Sequence, residues 1–176
     1  MTKNLLDLSI LMTSIANYFK TVLRFQTRSQ KINVVHLDDH KLFCWGLRKC
    51  LEDRINTLNI ISFNDSFEAL NFIAESLKKK DRIDLIITDF NHGGLNGYDF
   101  GKTIRILEKV YDKRIPILLL SMIAELPQIS KGYFEKVFDK GLSKNSSGEQ
   151  IIEAIYSLAQ KPRNTRELIQ AAAVSK

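Results

Sequence analysis

The sequence predicts an α/β fold, a doubly wound parallel sheet of five strands. Two observations carry this. Across residues 32–160, short β-branched apolar runs alternate with segments whose apolar residues recur at helical spacing. The strand runs also show little polar alternation, as suits strands covered by helices on both faces. Strand–helix alternation at this spacing implies right-handed βαβ units.

The elements follow in order. Ile32-Asn33-Val34-Val35-His36-Leu37 is the first strand and stops at Asp38-Asp39. Leu42, Phe43, Leu47, Cys50 and Leu51 then recur at helical spacing. Leu58–Phe63 is the second strand, closed by Asn64-Asp65, and Phe67, Leu70, Phe72, Ile73 and Leu77 line the next helix. That helix ends in Lys78-Lys79-Lys80, a charge run that favours a helix C-terminus. Ile83–Thr88 is the third strand and leads into Asp89, and the glycines of Asn91–Gly97 mark a loop. Phe100, Ile104, Leu107, Val110 and Tyr111 line a third helix. Ile115–Leu120 is the fourth and most apolar strand, with Pro116 tolerated near its start. A weaker helix is expected around Leu126–Phe134 and a weaker fifth strand within Val137–Ser143. Ser147, followed by Glu149-Gln150, starts the last helix, which buries Ile151, Ile152, Ile155, Tyr156 and Leu158.

Polar residues at the strand ends point to a site. Asp38 and Asp39 close the first run, Asp89 the third and Ser121 the fourth, and Lys144 follows the fifth. Ligands in such folds bind outside the carboxyl ends of the strands. Three carboxylates gathered there repel, so an empty site is expected to raise at least one carboxyl pKa. A hard divalent cation relieves this, and Mg²⁺ also keeps waters that a phosphate can replace. Asp89 is then placed to act as a nucleophile toward phosphorus, with Lys144 pairing a phosphoryl oxygen and Ser121 bonding the phosphate once formed. No Ser-His-Asp set, metal-spaced His/Cys set or Walker loop is present.

These motifs carry a resemblance. Residues 32–160 resemble a response-regulator receiver domain, of the CheY-like type, in Val-Val-His-Leu-Asp38-Asp39, Ile-Ile-Thr-Asp89-Phe, Leu95-Asn96-Gly97, Leu-Leu-Leu-Ser121 and Leu-Ser-Lys144. Asp38-Asp39-His40 with Leu42-Phe43 and Gly46-Leu47 is similar to the NarL/LuxR-type subgroup, whose receivers normally precede a helix-turn-helix. The resemblance implies a flavodoxin-like (βα)5 sheet of order 2-1-3-4-5. It implies that Asp89 accepts phosphate from a sensor histidine kinase or phosphotransfer protein. It implies Mg²⁺ held by Asp39 and Asp89, by Asp38 through water, and by the main-chain carbonyl of Asn91. Ser121 becomes the switch hydroxyl and Lys144 the phosphate-pairing lysine. The expected function is a receiver-only response regulator, a phosphoacceptor rather than an enzyme. The alternative is a receiver fold used as a phosphorylation-independent interaction module. A phosphatase resembling haloacid dehalogenases needs a second acid two residues after the nucleophile, where Asn91 stands.

The chain departs from the family at three places. His92-Gly93 stands for the usual Met-Pro, and Asn145 for the proline after the lysine. The Tyr or Phe that usually shortly precedes the lysine is absent from Lys140-Gly141-Leu142, and Phe138 is the candidate substitute. His92 is expected to be an ordinary exposed loop residue.

Composition bounds the rest. The chain has 176 residues, is 44% hydrophobic and carries a formal charge of +6. Residues 1–31 hold five cations against Asp7, a net +4, and residues 161–176 hold four against Glu167, a net +3. The central segment is left at −1, so direct DNA binding is not expected of it. Residues 161–176 are too short for a helix-turn-helix. Cys44 and Cys50 lie about 9 Å apart along one helix, too far for an undistorted bridge. They read as free thiols in a reducing cytoplasm.

Three segments are expected: residues 1–31, an amphipathic helix with a basic linker; residues 32–160, the receiver; and residues 161–176, a short basic tail. In the first, Leu5, Leu8, Met12, Ile15, Phe19 and Val22 form one stripe, which Leu11, Tyr18 and Phe25 widen enough for bundle packing. It folds back on its own domain, pairs with a partner protein, or forms a homodimer. The polar face has few cations, so membrane contact is not expected.

Overall fold

The computed structural model describes residues 31–122, 134 and 136–159. The chain divides into two compact units after Lys31, and the described strands and helices all belong to the second. The expected N-terminal helix and the tail lie outside the described residues, as does the 126–134 helix apart from Phe134.

The described elements are β1 (Ile32–Leu37), α1 (Lys41–Glu52), β2 (Leu58–Phe63), α2 (Ser66–Lys79), β3 (Leu85–Thr88), α3 (Gly97–Tyr111), β4 (Ile117–Ser121), β5 (Lys140–Ser143) and α4 (Gly148–Ala159). The strands form one sheet of order β2-β1-β3-β4-β5, and every pairing is parallel. This is the flavodoxin-like order that the resemblance implies.

Helices cover both faces of the sheet. On one, Val35, Leu37, Ile86, Ile117 and Leu119 meet Ala69, Ile73 and Leu77 of α2 and Phe100 and Ile104 of α3. On the other, α1 buries Cys44, Leu47 and Leu51, and α4 buries Ile151, Ile152, Ile155 and Leu158. All of β3 and β4 is buried, which is why their sequences show no alternation.

The helix starts agree with the sequence signals. Asp65 accepts from the backbone N–H groups of Phe67 (2.8 Å) and Glu68 (2.9 Å) and caps α2. Ser147 Oγ accepts from the Gln150 N–H (3.3 Å) while Gln150 Oε1 accepts from the Ser147 N–H (2.9 Å), a reciprocal cap on α4. Lys80 and Asp112 close α2 and α3 in the left-handed region, at φ 63° and 48°.

Two strands start two residues later than the sequence suggests, for one physical reason. Buried carboxylates there take the place of ladder partners. Asp84 Oδ2 accepts from the Asn33 N–H at 2.8 Å, and Oδ1 from Arg82 Nε at 2.7 Å. Ahead of β4, Glu108 Oε1 accepts from the Ile115 N–H (2.6 Å), Pro116 offers no donor, and Asp139 Oδ2 accepts from the Ile117 N–H (2.9 Å).

Arg105 ties this end together. Its Nε and Nη2 donate to the Val137 carbonyl, at 3.0 and 2.6 Å. Nη1 donates to the Ile115 carbonyl (2.9 Å) and Glu108 (2.6 Å), and Nη2 also to Asp139 (2.8 Å). Arg114 adds a second cation to the same two acids. Burial pushes the Glu108 carboxyl up, against the pull of the Ile115 N–H and Arg105.

Replacing one partner of a buried ion pair leaves the other charge stranded. Arg105→Met is expected to lower unfolding free energy by about 3–5 kcal/mol. The Arg105→Met/Glu108→Met pair should lose less than the single variant. Urea denaturation of the three chains checks both statements.

Candidate functional site

The parallel register brings the strand ends level. Leu37 pairs with Thr88, Thr88 with Leu119, and Ser121 with Ser143. Main-chain hydrogen bonds carry the alignment one residue further. The Asp38 N–H donates to the Phe63 carbonyl (3.1 Å), Asp89 N–H to Leu37 (3.0 Å) and Lys144 N–H to Ser121 (3.0 Å). The sheet thus delivers Asp38, Asp89, Ser121 and Lys144 to one crevice.

Asp38, Asp89 and Ser121 are buried, whereas Asp39 reaches solvent. Lys144 lies between two acids with only 6% of its side chain exposed. Its Nζ is 2.7 Å from Asp89 Oδ2 and 2.6 Å from Asp38 Oδ2. Among the described residues Lys144 is the one group that meets this buried Asp38 oxygen. The Phe43 ring, 4.6 Å from Nζ, covers the ammonium from the side. Asp89 Oδ1 accepts from the Phe90 N–H at 2.6 Å, and the Ser121 hydroxyl also bonds the Asp89 carboxylate.

These contacts reverse the expected pKa shift. Burial works against ionised Asp89, but hydrogen bonds from Lys144, Ser121 and the Phe90 N–H outweigh it and lower its pKa. Burial likewise opposes the Lys144 charge, yet Asp38 and Asp89 raise its pKa. Lys144 takes the place of the cation that carboxylate repulsion alone demands. Both groups are charged near neutrality.

Asp38 is anchored through its main chain. Its carbonyl accepts from Asn64 Nδ2 (2.7 Å) and the Cys44 thiol (3.2 Å). Burial pushes the Cys44 thiol pKa up. Both cysteines are free.

The loop after Asp89 is shaped by two glycines. Gly94 takes φ +87°. At Gly97 a Cβ would collide with the Asp89 carbonyl and lie 2.8 Å from Phe90 Cα, so α3 begins directly against the backbone of Asp89 and Phe90. Asn96 caps α3 through the Asp99 N–H at 2.9 Å. Asn91 sits exposed in this loop.

Two expectations need correction. His92 is buried, not exposed. Its ring stands edge-on to Phe100 at 6.0 Å, and Nε2 is 3.5 Å from Thr88 Oγ1. Phe138 does not fill the missing aromatic position. It precedes β5 and packs against Phe134 in the core, at 5.1 Å, roughly 20 Å along the strand from Lys144. The β5 residue three before Lys144 is Gly141, opposite Leu119.

Sequence reasoning missed two residues. His40 stands beside the acids, with Nδ1 2.9 Å from Asp39 Oδ1; its place directly after Asp38-Asp39 was the available signal. Phe43 stands out only by helical spacing and as part of the Leu42-Phe43 motif, neither of which sets it beside Lys144. Among the described residues, Asp38, Asp39, His40 and Asp89 form a group able to hold a metal ion. The carboxylates, with Asp38 Oδ2 meeting only Lys144, fit a divalent cation.

Comparison with known proteins agrees with this geometry. The family model described as the response regulator receiver domain matches residues 34–156. The chain belongs to the response regulator receiver family. It is 33% identical over 91 residues to the chemotaxis protein CheY-3 of Vibrio cholerae, covering 47% of this chain and 68% of CheY-3. It is 29% identical over 96 residues to the cyclic di-GMP phosphodiesterase response regulator RpfG of Xanthomonas campestris, covering 54% of this chain but 24% of RpfG. Among solved structures, the receiver domain of NarL from Mycobacterium tuberculosis aligns with TM-score 0.62 and 26% identity, over 74% of this chain and 98% of that one. Receiver domains are signalling modules rather than enzymes. Among the described residues no helix is long and apolar enough to cross a membrane.

His36, on β1 behind the site, is buried, and burial lowers its pKa from 6.5 to about 4 despite the nearby Asp38. The unfolded chain therefore binds the extra proton between these values. Stability is fully present above pH 6.5 and falls as pH drops toward 4, by about 3 kcal/mol from this group. Urea denaturation from pH 7.5 to 5 should show the slope, and His36→Leu should flatten it. Lys144→Met should raise the Asp89 carboxyl pKa, read from a ¹³C carboxyl titration.

Proposed function

We propose that this chain is a receiver-type response regulator that accepts a phosphoryl group on Asp89. The donor is a phosphohistidine on a sensor histidine kinase or phosphotransfer protein, which places the chain in the cytoplasm. The observation that carries the reading is the Lys144 ammonium held between the buried carboxylates Asp38 and Asp89.

The chemistry follows from the atoms present. Asp89 is ionised, so an oxygen is available to attack phosphorus as the P–N bond to the donor histidine breaks. The bonding electrons pass to the departing imidazole, which takes up a proton. Lys144 turns from the carboxylate to a phosphoryl oxygen, and the Ser121 hydroxyl donates to another. Asp39 and Asp89, with Asp38 through water and the Asn91 main-chain carbonyl, are the proposed Mg²⁺ ligands; the ion supplies charge screening for the incoming phosphate. The gain of charge at Asp89 redraws the contacts of Ser121 and Lys144 and changes which surface a downstream protein or second copy meets.

Gly141 favours a second reading. Without a side chain three residues before Lys144, β5 has no aromatic to follow Ser121. In that reading the fold binds its partner whether or not Asp89 is phosphorylated.

Incubation with a small phosphodonor and Mg²⁺ should add roughly 80 Da, the mass of one phosphoryl group, and Asp89→Asn should abolish the gain. No adduct, or one that survives in Asp89→Asn, rejects phosphate acceptance. An adduct that leaves sedimentation and partner binding unchanged selects the second reading.

A further inference from the structure

We propose that His40 is a direct metal donor at this site, giving it a nitrogen ligand for borderline divalent ions that Mg²⁺ does not use. This rests on reading the acidic cluster as a metal site.

His40 is the residue before α1, where a Ser, Thr, Asp or Asn side chain commonly caps the helix. The His40 side chain makes no cap hydrogen bond. It turns instead to the carboxylates, with Nδ1 2.9 Å from Asp39 Oδ1 and 3.5 Å from Asp38 Oδ1. One ligating atom from each of Asp38, Asp39, His40 and Asp89 lies within 4.8 Å of all the others. With bonds of about 2.1 Å, donors around one ion stand about 3 Å apart when adjacent and about 4.2 Å when opposite. The four atoms therefore need only a small contraction to share an ion.

Two further features make the set competent. Asp38 Oδ2 is buried and meets only the Lys144 ammonium among the described residues, at 2.6 Å, which leaves a lone pair for an ion. His40 is 73% exposed, which leaves a path for an ion and room for the ring to turn. A neutral imidazole can carry its proton on Nε2 and present the Nδ1 lone pair inward.

The donor mix sets the selectivity. Carboxylate and water suit Mg²⁺, whereas imidazole suits Ni²⁺ and Zn²⁺. Losing a nitrogen donor therefore penalises Ni²⁺ and leaves a hydrated Mg²⁺ almost untouched. A histidine that only orients Asp39 gives a different pattern, weakening both ions together.

Equilibrium dialysis of the full chain against Ni²⁺ or Mg²⁺ separates these cases. His40→Ala should weaken Ni²⁺ by at least about tenfold and leave Mg²⁺ binding within about twofold, since Mg²⁺ is held by oxygen alone. Asp89→Asn should weaken both, placing them at one site. Unchanged Ni²⁺ affinity in His40→Ala, equal weakening of both ions, or Ni²⁺ binding that survives in Asp89→Asn each overturns the proposal while Mg²⁺ binding stands. A wild-type chain that binds neither ion overturns the metal-site reading as well.

Discussion

The ammonium of Lys144 between Asp38 and Asp89 is the contact on which the upper end of the sheet depends. Two carboxylates at the ends of adjacent strands cannot both stay ionised in a buried crevice without a cation. Lys144 supplies it from β5, beyond β4, so the charge balance spans four strands. The Phe43 ring and the Ser121 hydroxyl complete its surroundings. In the proposed function the same lysine pairs the incoming phosphate, so the contact that stabilises the resting crevice is also the one that the proposal has change partners.

The lower end of the sheet is built on the opposite principle. Arg105 sits among the carbonyls of Val137 and Ile115 and the carboxylates of Glu108 and Asp139, with no free donor left to offer a ligand. Arg105, Arg114, Glu108 and Asp139 hold α3 to the segments that enter β4 and β5. These two ionic clusters have different duties. One is fully hydrogen-bonded and fixes architecture, while the other keeps an under-coordinated oxygen at Asp38.

The carboxyl ends of the strands are legible in the sequence because acids interrupt apolar runs there, and a buried acid is costly unless it has a purpose. The gathering of Asp38, Asp89, Ser121 and Lys144 follows from that pattern, the Ser147 start of α4 is legible in the Glu149-Gln150 that follows it, and the strand order comes from the resemblance to receiver domains. The amino ends are harder to read because Asp84, Glu108 and Asp139 look like surface residues in sequence. Their long-range bonds to main-chain N–H groups are visible only in three dimensions. His92 misleads for a related reason. A glycine-rich loop reads as exposed, yet Gly97 seats α3 so closely on the end of β3 that Phe100 and Thr88 enclose the ring.

Gly97 also sets a limit on how this sequence can drift. At Gly148 the obstacle to a side chain is the tip of Arg54, which can swing away or be replaced. At Gly97 the obstacle is the main chain of Asp89 and Phe90, which every residue possesses. A neighbouring substitution can make room at the first position, but none can at the second. The start of α3 is therefore bound to Asp89 by sterics alone, and a mutational path that keeps Asp89 in place has to keep the glycine as well.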